Sequence, residues 1–496
     1  MNNHPLKIAL ISSEAHPLAK TGGLADAVGG LARSLVERGQ QVILFHPYYR
    51  VVKDYLRERK IKVKTTPVHL KIRIGNEEVE GGIKEVRLPE GITVYLVEQE
   101  NYFGSRSTLY QDDKGGYPDN PERFIFFEEA VLRALRELKL RMDILHCHDW
   151  PTGFIPAYLY FRSGEDDYFS RTATVFTVHN LSFQGLFPYF RMTVTNLPWG
   201  AYSPEGVEFY GQINPLKAGL VYSTLITTVS HRYAREILTE EWGCGLEGLL
   251  RQRKKDLFAV TNGVDYREWN PATDSLIKAN FTAEDPVGKI ACRGDLLETF
   301  GLPDDAPLLG LVSRITPQKG FELLLSALPL LMKKKLSLVI LGKGYDGLEE
   351  ELKRREKDFS GKLRVRLEFN EDLAHRIIAG SDFLLHPARF EPGGLTPLYG
   401  LKYGTIPIVR ATGGLDDTIR NYRPEKGLGN GFKFQDYSVP ALVDKVEEAL
   451  AIYRRPAQFR QLQANARAAD YSWDEPAREY INIYHQALAR RVDLNL

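Results

Sequence analysis

"KIALISSEAHPLAKTGGLADAVGGLARSLVERGQQVILF", residues 7–45, sets out one complete strand–loop–helix–strand unit. KIALIS is a short, mostly apolar run of the kind that fills a buried parallel strand. Leu24, Val28, Leu31 and Leu35 then recur at helical spacing, and Val42–His46 returns to a strand. Between them Lys20 stands before Gly22 and Gly23, where the strand hands over to a helix N-terminus. Free backbone N–H groups and the helix dipole attract an anion at such a place. The order is not that of a Walker loop, whose lysine follows the last glycine, nor that of a G-x-G-x-x-G fingerprint. Taken alone, the segment reads either as an anion seat or as a tight turn with a solvated lysine.

The same order returns in "LLGLVSRITPQKGFELLLSALPLLMKKKLSLVILG", residues 308–342, with Lys319-Gly320 at the loop. Strand-like runs alternate with helical stretches around both segments. In the first half they are Ile92–Val97, Asp143–His146, Thr174–Val178 and Leu225–Val229, with a helix over Pro121–Leu138. In the second half they include RVRLEF, DFLLHP and TIPIVR, with helices over Phe321–Met332 and Glu371–Ala379. Alternation of this kind gives parallel sheets covered on both faces, an α/β chain. The expected architecture is two doubly wound, Rossmann-like domains. Ligands of such sheets bind beyond the carboxyl ends of the strands, so two domains facing across a cleft can open both lysine loops onto it. The polar, proline-bearing stretch from Asn270 to Asp305 reads as the connection.

Bulk properties narrow the class. A chain of 496 residues, 43% hydrophobic and 26% charged, is an ordinary globular protein of two or three domains. A formal net charge of +1 gives no sign of a nucleic-acid or membrane-surface partner. Cys147, Cys244 and Cys292 are too scattered for a disulfide framework or a zinc site of their own, and suit a reducing cytosol. The first residues have no signal-peptide pattern, and no apolar run approaches a membrane span. The expected location is cytoplasmic.

The most informative segment is "FLLHPARFEPGGLTPLYGLKYGTIPIVRATGGLDDTI", residues 383–419. A strand leads to a loop holding Glu391; Gly393 and Gly394 follow, and Leu395-Thr396 opens a helix. This is a second anion seat. Glu391 precedes the helix and so does not cap it; it reads as a solvated loop acid or as a carboxylate that accepts hydrogen bonds from ligand hydroxyls. Arg314 and Lys319, at the carboxyl end of strand 308–313, suit a diphosphate. Hydroxyls beside a phosphate describe a sugar nucleotide. HCHDW (146–150) has metal-ligand residue types, but its remaining ligands are not visible. Tyr102, Phe103, Tyr110 and Tyr117, in a polar loop, suit either the faces of sugar rings or packing on their own domain.

KTGGLADAVGGL, HCHDWPTGFIPAYL, FTVHNLSFQG, EFYGQINPLKAGLVYS, TTVSHRYAREI, EWGCGLEGLL, TNGVDYREWNPATD, SRITPQKG and RFEPGGLTPLYGLKYGTIPIVRATGGLDDT resemble, in order from Lys7 to about Trp473, the bacterial glycogen synthase and plant starch synthase family. The resemblance implies a GT-B fold. Residues 1–258 would form the acceptor-side domain, completed by a C-terminal helix over 475–496, and residues 259–474 the nucleotide-sugar domain. It implies transfer of glucose from ADP-glucose to the non-reducing end of an α-1,4-glucan with retention, without metal or other cofactor.

Carried over by motif, Glu391, Arg314, Lys319 and His179 are the catalytic set. Lys20, Gly22, Gly23, Asn262, Gly393, Gly394, Leu395 and Thr396 bind the donor. Asp149 and Tyr102 lie toward the acceptor. Gly393 and Pro397 depart from the many bacterial members that carry cysteine and glutamine there. The alternative readings are a UDP-glucose-dependent transferase of the same fold and a catalytically silent glucan-binding protein.

Overall fold

β1 (Lys7–Ile11) is apolar because nothing but protein surrounds it: Ile8, Ala9, Leu10 and Ile11 are fully buried. The computed structural model describes residues 4–112, 115–163 and 167–494, with side chains to residue 491. It divides into two units, one of Met1–Val229, Ala234–Gly263 and Trp473–Leu496, the other of Ser230–Tyr233 and Val264–Ser472.

In the first unit β1 is followed by α1 (Gly23–Glu37), β2 (Gln41–Pro47), β3 (Val63–Ile74), β4 (Glu77–Arg87) and β5 (Thr93–Glu98). Then come α2 (Asn120–Glu137), β6 (Ile144–His148), α3 (Phe154–Phe161), β7 (Ala173–Val178), β8 (Leu225–Thr228) and β9 (Leu257–Ala259). The sheet order is β9-β8-β7-β6-β1-β2-β5-β4-β3. β1 pairs in parallel with β2 on one side and β6 on the other, so the order reverses beside β1. The antiparallel β3–β4 hairpin at the far edge is not among the strands expected from sequence. Its alternation is written plainly: Val68, Leu70, Ile72 and Ile74 are buried, while Lys71 and Arg73 between them are exposed.

The second unit contains α4 (Val287–Phe300), β10 (Leu308–Val312), α5 (Phe321–Leu331), β11 (Ser337–Leu341), β12 (Leu363–Arg366), α6 (Glu371–Gly380) and β13 (Phe383–His386). α7 (Leu395–Lys402), β14 (Ile406–Arg410), α8 (Gly413–Thr418) and β15 (Phe432–Phe434) follow. Its parallel sheet runs β12-β11-β10-β13-β14-β15, the 3-2-1-4-5-6 order of a nucleotide-binding doubly wound sheet.

Residues 270–305 do not form a connection, as the sequence reading expected, but part of this second unit. Asp274 is buried and accepts hydrogen bonds from His375 (2.8 Å) and Tyr403 (2.6 Å). Trp269 stacks between the rings of His375 and Tyr399, and Cys292, Leu296, Leu297 and Phe300 of α4 are buried. Prolines and polar residues mask a segment that still sends Phe281, Cys292, Leu296, Leu297 and Phe300 into the core.

The chain closes with α9 (Asp474–Leu494), which packs on α1 and β7 of the first unit through buried Tyr480, Ile483, Tyr484 and Ala487. Of the later apolar residues at helical spacing in this helix, Leu488 is half-buried and Val492 lies outside the described side chains. Trp473 enters this unit against Gly30 and Gly263, where a Cβ at either glycine would overlap it. Among the described residues no helix is long and apolar enough to cross a membrane.

Candidate active site

Each sheet places its chemistry where its strand order reverses. In the second unit that point lies between β10 and β13. The loop after β10 carries Arg314 and Lys319; the loop after β13 carries Glu391 and the glycines. The two loops are stitched together by backbone: Arg389 N–H donates to the Gln318 carbonyl at 2.9 Å. Gly414 N–H, from the turn after β14, reaches the carbonyls of Glu391 and Pro392 at 3.1 Å. Gly394 takes φ +79° as N-cap of α7, with Leu415 against the position of a Cβ, so no other residue serves there. Leu395, Thr396 and Pro397 are the first three residues of α7. Pro397 is therefore the third residue of α7. The N–H it lacks is still one of the four that a helix leaves unpaired.

Lys319 and Glu391, read from sequence as a phosphate ligand and a hydroxyl acceptor, make an ion pair with each other. The carboxylate is 8% exposed and the ammonium 17%. Arg314 is exposed on the same loop. Behind the pair lies buried His386, whose imidazole is pushed down to about 4 by burial first and by the Lys319 charge second. It is neutral at working pH and adds no charge to the pair.

In the first unit the reversal lies between β1 and β6. Lys20 pairs with Asp26 in the first turn of α1 at 3.0 Å. Gly22 is the N-cap of α1 and Gly23 its first residue; a Cβ at Gly22 would meet nothing within 4 Å. The loop is held by a residue that sequence reasoning missed. Buried Glu14 accepts the Thr21 N–H at 2.6 Å on one oxygen and the Thr21 hydroxyl at 2.7 Å on the other. The Tyr110 hydroxyl donates to the same carboxylate at 2.9 Å. Only the dipeptide Ser13-Glu14, an acid directly after an apolar strand, could have signalled it.

After β6, Asp149 adopts φ +57° and ψ −179°, a region that is essentially glycine's own. Its turn is fixed from both sides. Asp149 N–H donates to the Thr177 carbonyl at 3.0 Å, and its Oδ1 accepts the His179 N–H at 2.7 Å. Burial pushes the Asp149 carboxyl up to about 7. His179, after β7, places Nε2 3.0 Å from His148 Nδ1. Burial drives His179 down to about 3 and His148 well below its ordinary value, so one neutral ring donates and the other accepts. His146 spends both nitrogens, on Tyr484 (2.8 Å) and Thr177 (2.6 Å), which leaves it none for a metal.

Asn262 is buried, next to the Gly263 that meets Trp473. Of the loop aromatics, Phe103 and Tyr117 are buried, so packing on their own unit is the correct reading for them. The Tyr102 ring lies half-buried against Phe103 and Phe126, its phenol raised to about 12 by burial.

Two doubly wound units, each with a cation, a glycine turn and a buried acid at its reversal point, define a hexosyltransferase of the GT-B class. The starch synthase catalytic domain family matches residues 7–252, and glycosyl transferases group 1 matches residues 294–467. Glycogen synthase of Koribacter versatilis is 42% identical over 97% of this chain and 98% of its own length. That of Moorella thermoacetica is 41% identical over 99% and 98%. The catalytic domain of starch synthase IV from Arabidopsis thaliana, solved with ADP and acarbose, superposes with a TM-score of 0.89 at 29% identity, over 98% of this chain and all of that one. The chain belongs to the glycogen synthase and starch synthase family.

Proposed function

We propose that the protein elongates an α-1,4-glucan such as glycogen in the cytoplasm, moving glucose from ADP-glucose to the non-reducing end with retention and without a metal or other cofactor. The observation that carries this reading is the meeting of Lys319 and Glu391 at the reversal point of the second sheet, beside the glycine turn that opens α7. In it Arg314 and Lys319 hold the diphosphate, with Gly393, Gly394, Leu395 and Thr396 offering amides, and Glu391 accepts glucose hydroxyls. Lys20, Gly22, Gly23 and Asn262 are donor residues of the first unit; Asp149 and Tyr102 serve the acceptor, and His179 lies by the sugar.

The bond from the anomeric carbon to the β-phosphate oxygen breaks with its electron pair leaving on ADP. The acceptor 4-hydroxyl attacks on the face ADP leaves, and its proton passes to that phosphate oxygen. Charge grows on the diphosphate during this step, so cations held beside it stabilise the transition state more than the ground state.

The test is ADP release and glucose incorporation with glycogen, comparing ADP-glucose with UDP-glucose, each with and without EDTA. Faster turnover with ADP-glucose, indifferent to EDTA, is expected. A preference for UDP-glucose overturns the donor assignment, and loss of activity with EDTA overturns the metal-free mechanism. Glucan binding without turnover on either donor overturns the whole reading.

A further inference from the structure

Of the aromatics in the polar loop between β5 and α2, Tyr110 has so far no part in the site beyond its contact with Glu14. The residue is half-buried, but its hydroxyl is turned inward: burial first, and the Glu14 charge second, raise the phenol well above its ordinary range. The hydroxyl lies 2.9 Å from Glu14 Oε1 and 2.7 Å from Ser13 Oγ. A carboxylate only accepts, so the single phenol proton goes to Glu14, and the Ser13 hydroxyl donates to the phenol oxygen. The other donors on Glu14 are the hydroxyl and N–H of Thr21, the residue after Lys20. The opposite end of Tyr110 is fixed by α2. Its carbonyl accepts the Asn120 side-chain amide and the Tyr117 N–H, each at 2.9 Å. Asn120 Oδ1 takes Nη1 of Arg123 at 2.5 Å. Arg123 is fully buried and spends Nε on the Tyr102 carbonyl (2.7 Å) and Nη2 on the Leu109 carbonyl (3.0 Å). One guanidinium thus sets the backbone at Tyr102 and directly before Tyr110.

We propose that Tyr110 is a positioning residue for the donor: it belongs to the loop that carries Tyr102, yet its hydroxyl acts through Glu14 on the placement of Lys20 and the Gly22–Gly23 turn. The inference rests on the functional reading above, in which Lys20 serves the donor and Tyr102 the acceptor. A platform for a sugar ring needs its face in solvent and has no use for a hydroxyl spent on a buried carboxylate. The ring of Tyr110 instead packs 5.9 Å from Phe124 and 6.2 Å from Trp150. Without the hydroxyl, Glu14 loses the donor that comes from outside its own loop. The carboxylate and the Thr21 segment it holds are then free to shift together, and a charge displaced by a fraction of an ångström stabilises a diphosphate less.

Tyr110→Phe in the full chain removes the hydroxyl and keeps the packed ring. It is expected to weaken ADP binding, read by calorimetry, and to raise KM for ADP-glucose, each about tenfold, while KM for glycogen moves by less than about twofold. In a Glu14→Gln background the same substitution is expected to add less than about twofold, because the carboxylate it acts through is gone. A rise in KM for glycogen with ADP binding unchanged makes Tyr110 an acceptor contact and overturns the proposal. Equal effects in the two backgrounds, or a lowered unfolding temperature with both KM values unchanged, overturn it as well. If the parent turns over neither nucleotide sugar, the functional reading fails; ADP calorimetry needs no turnover and still decides whether the hydroxyl places the anion seat, unchanged ADP binding overturning the proposal there too.

Discussion

Replacing Glu391 by glutamine separates two roles that the ion pair with Lys319 holds together. Two unit charges 4 Å apart attract by about 4 kcal/mol at an effective dielectric near 20, and desolvation offsets part of that. The ammonium keeps 17% of its surface in water, which places the pair toward the weak end of buried pairs. A diphosphate arriving at Lys319 must first draw it from Glu391. Glutamine removes that competition, and a release of roughly 1.4 kcal/mol is tenfold in affinity. Glu391→Gln is therefore expected to bind ADP about tenfold more tightly than the parent. It is also expected to lose roughly 100-fold or more in kcat with ADP-glucose, because the charged acceptor for glucose hydroxyls is gone. Lys319→Ala is expected to weaken ADP binding and to lower kcat as well. Calorimetry with ADP and steady-state kinetics with ADP-glucose read the two arms separately. Unchanged or weaker ADP binding by Glu391→Gln would refute the claim that carboxylate and phosphate compete for one lysine.

Three further outcomes follow from the first unit and its packing. Glu14→Gln turns an amide donor toward the Thr21 and Tyr110 donors, so kcat/KM for the donor is expected to fall about tenfold or more, on the scale at which small misplacements cost rate; steady-state kinetics checks it. Asp149, held near 7 when folded against about 4 when unfolded, stays protonated in the folded chain while the unfolded chain ionises. Its contribution thus falls as pH rises from 4 to 7 and is level above. At 1.36 kcal/mol per pH unit the ceiling is about 4 kcal/mol. Asp149→Asn is expected to flatten that slope in unfolding free energies measured between pH 5 and 8. Gly30→Ala drives a Cβ into the Trp473 indole and is expected to cost roughly 1–3 kcal/mol, whereas Gly248→Ala, helical and open, is expected to gain about 0.5–1 kcal/mol; denaturant titration distinguishes them.

Legibility tracked how locally each feature is encoded. β1, α1 and β2 could be read within a residue or two, because buried parallel strands are near-continuous apolar runs and α1 repeats its apolar face at helical spacing. The β3–β4 hairpin escapes such a reading because its alternating lysines, glutamates and glycines carry little bulk hydrophobicity, although Val68, Leu70, Ile72, Ile74, Ile83 and Val86 are buried. Residues 270–305 read as a connection because composition sees their prolines and acids but not the contacts of Asp274 with His375 and Tyr403, 101 and 129 positions away. Lys20, Lys319 and Glu391 stood out through their glycines. Glu14 did not, since a carboxylate that holds another loop has no pattern of its own. Nor can a sequence disclose that Lys319 and Glu391, 72 residues apart, touch.

That last contact bears on how a site built for charge survives without its ligand. A lysine largely withdrawn from water near a helix N-terminus is costly to fold, and each unit carries one. In each unit the solution is the same: a carboxylate near the lysine, Asp26 for Lys20 and Glu391 for Lys319. The amides that meet the ligand are fixed by glycine turns and backbone hydrogen bonds, while the charges are carried on side chains that can change partner. Rigid dipoles need no rearrangement when the diphosphate arrives, and the lysines exchange one anion for another rather than leave water. On the proposed reading, Glu391 is released by that exchange and becomes free to take hydroxyls only once phosphate is present, so the pair would order the events: phosphate first, sugar second.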